Sequence, residues 1–153
     1  MTKTKEMRVI LSILLISAGF GVSAQTATGW DSWKSVDGVE IAQKEAECDL
    51  RMGYDQDWKL FRFENTNSYT VILIWDIEMH HNGECVTCND PNGEYHRTLE
   101  LQPGEVLEGE CKIAVDDRLH AFIQFNDPNY TGASAQLTHF DLKNLQVVPM
   151  NNN

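Results

Sequence analysis

Alternating apolar and polar positions along the chain predict a series of short β-strands. The clearest case covers Tyr69–His80, where every odd-numbered residue is apolar or aromatic. The even-numbered residues are mostly apolar as far as Ile74 and polar or charged from Asp76 onward. A period of two over this length is typical of a strand and not of a helix. We expect the first half of this strand to be covered on both faces and the second half to expose one face to water.

Strand and turn signals also precede this segment. Trp58–Glu64 reads as a strand, and the polar cluster Asn65–Ser68 predicts a turn that joins it to the next strand in a hairpin. Further upstream, Trp33–Val36 and Val39–Ala42 flank Asp37-Gly38, which is among the strongest two-residue hairpin signals.

The second half of the chain continues the pattern. Thr98–Leu101 leads into a turn at Gln102–Glu105, where proline fixes φ and glycine permits a positive φ, and Val106–Lys112 resumes a strand. Leu119–Phe125 alternates again, and Leu137–Val148 predicts one or two more strands. About eight strands with regular turn signals predict an all-β, antiparallel β-sandwich of immunoglobulin- or fibronectin-like type.

Helical and linker signals are weak. The one helical possibility beyond the first 24 residues is a turn around Ile41–Leu50, where Gln43–Glu47 are good helix formers. The longest segment without strand character runs over His81–His96, a length at which a loop is often functional. We find no internal repeat and no linker, so residues 25–153 are predicted to form one domain.

Several of these segments resemble small exported β-sandwich proteins of bacteria. The matching features are an early Trp-rich strand with Asp37-Gly38-Val39, Cys48, Phe61–Asn67, Leu101–Glu105 leading to Cys111, and Leu142–Val147. The resemblance spans most of the chain after residue 24 and implies an immunoglobulin-like sandwich. It implies no activity, and the Cys85-Val86-Thr87-Cys88 insertion falls outside it.

The first 24 residues have the character of a secretory signal peptide. Three basic residues precede an apolar segment over Val9–Gly21, and Val22-Ser23-Ala24 supplies small residues before Gln25. The apolar part is too short to anchor the chain in a bilayer. We therefore expect a mature protein from Gln25 onward that is secreted or periplasmic, in an oxidising compartment.

Charge excludes some partners. The formal net charge is −11, and removal of a leader with three basic residues and one acidic residue leaves −13 on 129 residues. Such a balance repels phosphate backbones and anionic lipid, so nucleic acid is not an expected partner. No later apolar run is long enough to span a membrane.

Export also changes how the four cysteines are interpreted. In an oxidising compartment they are expected to pair, and four cysteines allow three pairings. We favour Cys48 with Cys111, which would link two strand edges, and Cys85 with Cys88, which are three positions apart.

The segment around Cys85 and Cys88 allows two other roles. A redox dithiol is disfavoured because Glu84, Asp90 and Glu94 would raise the thiol pKa. A tetrahedral zinc site is the alternative to the disulfide, because soft and borderline ligands gather within seventeen residues. The five candidate ligands are His80, His81, Cys85, Cys88 and His96.

Other polar groups give weaker signals. Asn89–Glu94 has some calcium-loop residues but lacks the spaced second acid and the terminal glutamate, and it is first of all a turn sequence. Asp55-Gln56-Asp57 and Asp116-Asp117 are expected to be loop carboxylates. We find no G-x-S-x-G elbow, and many carboxylates give accidental pairs, so no catalytic residue and no cofactor is assigned.

The tryptophans and one glycosylation sequon are further candidate features for recognition. Trp75 and Trp58 are predicted to be buried, and Trp30 is the tryptophan most expected at the surface, where it could stack on a sugar. Asn129-Tyr130-Thr131 matches a glycosylation sequon. The sequence therefore predicts an exported, disulfide-stabilised, non-enzymatic binding or adhesion module for a protein or glycan, with a zinc-binding domain as the alternative.

Overall fold

The computed structural model describes residues 29–48, 55–112, 116–126 and 135–150, which contain strands and turns and no helix. The nine strands are β1 (Asp31–Val36), β2 (Val39–Cys48), β3 (Gln56–Asn65), β4 (Val71–His81), β5 (Glu84–Cys85), β6 (His96–Leu101), β7 (Val106–Glu108), β8 (His120–Phe125) and β9 (Leu137–Pro149). Among these residues nothing forms a helix able to cross a membrane. The predicted leader and the sequon at 129–131 lie outside the described residues.

The first sheet is built around β3. β1, β2 and β3 are consecutive antiparallel neighbours, and β2 pairs with β3 from Val39 opposite Asn65 to Cys48 opposite Gln56. The other edge of β3 is shared by two short strands, β7 along residues 62–64 and β8 along residues 56–60.

The second sheet has the same plan around β4. β9 lies antiparallel along the whole strand, from Val71 opposite Pro149 to His81 opposite Leu137. The other edge of β4 pairs with β6 over residues 71–76 and with β5 over residues 80–81. Each central strand thus has one long neighbour and two short ones.

One hydrophobic core joins the two sheets. Phe63 of β3 and Trp75 of β4 stack with ring centroids 5.3 Å apart, although their strands belong to different sheets. Phe61 stacks in the same way on Phe140 of β9 at 5.0 Å. The all-β, antiparallel prediction is confirmed, and two facing sheets are consistent with a sandwich.

Strand β4 has one core face. Its odd-numbered residues are buried from Val71 to Ile77, as the alternation predicts. Ile72 and Ile74 on the even-numbered face are half-buried, so that face is covered only in part, and the shared core lies on the odd-numbered side.

The predicted hairpin between Trp58–Glu64 and Tyr69–His80 is wrong. β3 lies in the first sheet and β4 in the second, so the turn at Asn65–Ser68 carries the chain across the core. Because both strands bury an alternating apolar face, stacking across the core covers both faces at once, which side-by-side pairing cannot do.

A buried asparagine holds this crossing in place. Asn65 is fully buried, and its Nδ2 atom lies within hydrogen-bond distance of three carbonyl oxygens, those of Tyr69 (2.9 Å), Leu101 (3.0 Å) and Gln102 (3.1 Å). The backbone N–H of Gly104 donates to the Asn65 carbonyl at 2.9 Å. One residue therefore ties the β3–β4 crossing to the β6–β7 crossing.

The helical turn expected around Ile41–Leu50 is also wrong as far as Cys48, where the description of that segment ends. Residues Gln43–Glu47 form the second half of strand β2. Helix propensity is worth less than about 1 kcal/mol per residue. Pairing of all five residues with β3, and of Gln43 also with β1, overrides it.

The Asp37-Gly38 hairpin is confirmed. Val36 pairs with Val39, and both central residues have positive φ, 44° for Asp37 and 78° for Gly38. Positive φ at both positions is the property of a type I′ turn, whose twist matches that of the flanking strands.

The remaining strand boundaries differ in detail. β7 ends at Glu108 and not at Lys112, and of the one or two strands predicted near the C-terminus the structure has one long strand, β9. The short strand β5 was not predicted, because two residues are too few to show a period.

The structure joins the cysteines in the pairs that the sequence favoured. Cys48 and Cys111 have Cα atoms 5.2 Å apart, and the bond links the end of β2 to the segment after β7. Cys85 and Cys88 have Cα atoms 5.7 Å apart and close a small loop that begins in β5. Both separations lie within the usual range for disulfides.

Candidate binding cleft

A cleft of about 440 Å³ lies between the polar half of β4 and the loop that precedes β6. Polar and charged groups dominate its lining, and Tyr95 supplies one aromatic ring. The residues that line it are Asp76, Ile77, Glu78, Thr87, Cys88, Asp90, Gly93, Tyr95, His96, Lys143 and Asn144.

The loop wall is fastened to β4. The N–H of Val86 donates to the Met79 carbonyl at 2.9 Å, and the buried Thr87 hydroxyl accepts the Met79 N–H at 2.8 Å. The Cys85–Cys88 bond closes the same segment. This wall is therefore held by backbone, side-chain and covalent links.

Asp90 organises the far side of the loop. Its Oδ2 atom accepts the N–H of Tyr95 at 2.7 Å, and this hydrogen bond is the main reason that the pKa of Asp90 is lowered. The Asn89–Glu94 segment contains turns, in keeping with its Asp-Pro-Asn-Gly sequence. The Tyr95 carbonyl in turn accepts the N–H of Ile77 at 3.0 Å, which fixes Tyr95 beside β4.

Three strands contribute one hydrogen-bonded network at the cleft. Asp76 on β4 lies opposite His96 on β6, and its Oδ1 atom is 2.7 Å from His96 Nδ1. Its Oδ2 atom accepts Nδ2 of Asn144 on β9 at 2.7 Å. Hydrogen bonds from Asn144 and then from His96 lower the pKa of Asp76. In the neutral imidazole, a proton on Nδ1 that is donated to the carboxylate leaves Nε2 as an acceptor.

A β-bulge aims Asn144 at this network. The register shifts by one residue between Ile74 and Asp76, and Asn144 adopts φ 51° at that point of β9. Asparagine tolerates the left-handed region better than most residues. Bulges redirect side chains, and this one places the amide on the same side as Asp76.

The five predicted zinc ligands do not all converge. His80, Cys85 and Cys88 have ligand atoms within 4.8 Å of one another, but the two sulfurs are bonded together. His81 points to Phe122, with ring centroids 6.1 Å apart, and His96 is engaged with Asp76.

Other carboxylates singled out in the sequence have structural partners. Asp57 accepts Nε2 of Gln124 at 2.8 Å, and Asp116 accepts Nε of Arg118 at 2.7 Å. The hydrogen bond from Arg118 holds the pKa of Asp116 below its usual value. Asp117 lies 3.0 Å from Arg97.

The tryptophans follow the sequence only in part. Trp75 and Trp58 are buried, as predicted, with 1% and 7% of their surface exposed. Trp30 is half-buried against a small cluster around Trp58, with Lys44 Nζ 4.2 Å from its ring centroid. It is therefore not the open sugar-stacking surface that we expected.

Sequence reasoning missed Glu78, Asn144 and His139, which the structure places near the candidate residues. Glu78 Oε1 lies 3.2 Å from His80 Nε2 and 3.3 Å from Nε2 of His139. Although desolvation acts to raise it, the hydrogen bond from His80 and the charge of Lys143 leave the pKa of Glu78 lowered. The sequence does show Glu-x-His in one predicted strand and His-x-Asp in another. It does not show the register that brings the two strands together.

Comparison of the chain with protein-family models, with curated proteins and with solved structures finds no match. The resemblance to exported bacterial sandwiches therefore stays a prediction, and the site rests on its own geometry.

Proposed function

We propose that the protein is an exported β-sandwich of immunoglobulin-like type that binds a neutral glycan, without catalysis, in the cleft beside β4. The single observation that carries this proposal is the Asp76–His96–Asn144 network, because three strands hold it in one arrangement at the cleft.

The chemistry of the cleft favours hydroxyl-rich ligands. Carboxylates only accept hydrogen bonds, and Asp76, Glu78 and Asp90 all line the cleft. Sugar hydroxyls can donate to them and also accept from the amide of Asn144. Tyr95 adds an aromatic ring, and the volume falls in the range of about 300–1,000 Å³ common for ligand sites.

The negative charge of the protein favours a neutral glycan over anionic ligands. A chain with net charge −11 disfavours anionic ligands such as nucleic acid and phosphorylated lipids. A rigid loop wall lowers the entropic cost of binding, which suits a recognition site.

The ionisation of the cleft carboxylates favours binding over hydrolysis. Asp76, Glu78 and Asp90 all line the cleft, and the pKa of each lies below its usual value. Glycoside hydrolysis needs one carboxylic acid with a raised pKa to protonate the leaving group, and none of these three has one.

A glycan array probed with the mature protein tests the proposal, followed by calorimetry on the hits. We expect a neutral glycan to bind, and Asp76→Ala and His96→Ala to weaken binding by about tenfold or more, because each leaves polar groups unpaired. Glu45→Gln is a matched control on the first sheet, where the Glu45 side chain is 70% exposed, and should bind like the wild type.

An empty array, or equal binding by all the variants, contradicts the proposal. A pull-down from the native secretome runs in parallel, and capture of a protein through the same cleft residues, with no glycan bound, replaces the glycan by a protein partner.

A further inference from the structure

We infer that Glu78, His80 and His139 form a surface site for a divalent transition metal ion such as Zn²⁺. This site differs from the cysteine and histidine loop considered from the sequence. It does not depend on glycan binding, although Glu78 also lines the cleft.

The two strands bring these residues together through their register. Glu78 and His80 are two positions apart on β4, so their side chains share one face. His139 on β9 lies directly opposite His80, and Glu78 lies opposite Asp141. The His80 and His139 rings meet edge to face, with centroids 5.1 Å apart.

The spacing of the ligand atoms fits a tetrahedral ion. Zinc binds imidazole nitrogen and carboxylate oxygen at about 2.0–2.1 Å, which gives ligand-to-ligand separations of about 3.3 Å in a tetrahedron. Oε1 of Glu78 lies 3.2 Å from His80 Nε2 and 3.3 Å from His139 Nε2. All three ligand atoms lie within 4.8 Å of one another, so small rotations complete the site.

The donor set indicates the class of metal. Two imidazoles and one carboxylate are ligands of Zn²⁺ and its neighbours Ni²⁺ and Cu²⁺, whereas Ca²⁺ and Mg²⁺ prefer oxygen alone. The side chains of Glu78, His80 and His139 are 24%, 27% and 50% exposed, so an ion can enter and the fourth position faces solvent.

Neighbouring charges tune the site. Lys143 Nζ lies 3.5 Å from Oε2 of Glu78 and 3.1 Å from Asp141 Oδ2. Its positive charge opposes a dication at the site. Lys143→Gln is therefore expected to strengthen metal binding by a few-fold.

The two cysteine sulfurs near His80 distinguish this site from the zinc site that the sequence offered as an alternative. Cys85 and Cys88 are close enough to His80 to act as ligands only as free thiolates, and they are bonded to each other. A Cys85→Ser/Cys88→Ser double variant should keep its zinc affinity if the ligands are those inferred here, and should lose it if the sulfurs hold the ion.

Calorimetric titration of the EDTA-treated, mature protein with Zn²⁺ at pH 7.5 tests the inference. We expect one saturable site, with His80→Ala and His139→Ala each weakening it by more than about tenfold, since loss of even an outer partner typically costs about 10- to 100-fold. His96→Gln is the matched histidine control and should titrate like the wild type. Ca²⁺ should give no saturable heat.

Imidazole ¹H–¹⁵N spectra recorded during the titration supply a second readout that does not depend on the variants. Signals of His80 and His139 should shift together with Zn²⁺, and those of His96 should not. The inference is overturned if the wild type shows no saturable site, if His80→Ala and His139→Ala bind as tightly as the wild type, or if the spectra locate the ion elsewhere.

Discussion

Two buried or half-buried polar side chains, Asn65 and His120, show how single residues set the stability of this fold. Asn65 contacts the carbonyl oxygens of two crossings between the sheets. His120 stacks on Trp58 with ring centroids 4.4 Å apart, and it is the histidine whose pKa burial lowers. Each residue leads to a prediction.

Substitution Asn65→Ala should lower the free energy of unfolding by about 2–3 kcal/mol. It removes the donor to three carbonyl oxygens, of which the contact with Leu101 is buried, and the acceptor for the N–H of Asn67, which lies 3.0 Å from Asn65 Oδ1. Urea unfolding measures the loss. Asn92→Ala, at an exposed loop position, is the control, and a similar small loss in both variants would contradict the role given to Asn65.

The His120 side chain should make stability depend on pH near neutrality. Desolvation lowers the pKa of His120 in the folded protein, against the opposing effects of Asp116 and Asp117, so the folded state binds its proton less readily than the unfolded state. The unfolding free energy therefore falls as pH drops below about 6.5. His120→Phe keeps the stacking and should flatten this dependence between about pH 7 and 5.

Carboxylates do not obscure that test. Asp116, whose pKa is lowered, loses its contribution only as pH falls below about 4, where the unfolded carboxyl takes up a proton. Unfolding curves at a series of pH values measure both effects, and equal slopes for wild type and His120→Phe near pH 6 would show that His120 is not the group responsible.

At the scale of elements, the turns differ in what surrounds them. Gly38 and Gly104 both have positive φ, 78° and 72°. A Cβ atom on Gly38 would lie 2.4 Å from Asn67 Oδ1, whereas one on Gly104 would have no atom within 4 Å. The Asn67 side chain donates to the Asp37 carbonyl, so displacing it breaks a contact between the hairpin and the crossing.

Alanine substitutions at Gly38 and Gly104 should distinguish the cost of backbone strain from the cost of a steric clash with Asn67. Gly104→Ala should cost about 1–2 kcal/mol from the left-handed backbone alone. Gly38→Ala should cost about 1 kcal/mol more, from the lost hydrogen bond of Asn67. Thermal unfolding of both variants measures the difference, and equal losses would mean that Asn67 moves aside freely.

Local pattern predicted the strands better than their partners. The alternation of Tyr69–His80 gave β4 its correct type because burial of one face leaves a period of two in the sequence itself. The partner of β3 could not be found in this way, since a short polar turn serves a hairpin and a crossing equally well. In β2 the favourable helix propensity of Gln43–Glu47 was outweighed by pairing with β3 along the whole of this segment.

The candidate sites follow the same division. His80, Cys85 and Cys88 are neighbours in the sequence, so their proximity was predictable. His139 and Asn144 reach β4 only through the register of β9 and its bulge, which no local signal specifies. The sequence thus indicated which residues could bind a ligand, but it did not indicate which distant residues the fold brings together.

For the molecule as a whole, the two disulfides differ in the length of chain that they close. Cys48 and Cys111 are 63 residues apart, and Cys85 and Cys88 are three apart. If restriction of the unfolded chain dominates, the first bond contributes about 4 kcal/mol and the second about 2 kcal/mol.

Paired serine substitutions test this order. Cys48→Ser/Cys111→Ser should lose about twice as much unfolding free energy as Cys85→Ser/Cys88→Ser, because the longer loop gains more entropy when unfolded. Chemical denaturation without reductant provides the measurement, with reduced wild type as the reference for loss of both bonds. A larger loss from the Cys85 and Cys88 pair would mean that fastening the cleft wall matters more than loop length.

The bulge at Asn144 has one more consequence, for encounters between copies of the protein. β9 is an edge strand of the second sheet. A long, regular edge strand presents an uninterrupted row of amide and carbonyl groups with which a strand of another molecule can pair. In β9, two register shifts and a proline at the end of the strand interrupt this row of amide and carbonyl groups. The irregularity that orients the amide of Asn144 therefore also makes this border strand a poor template for pairing with a second copy.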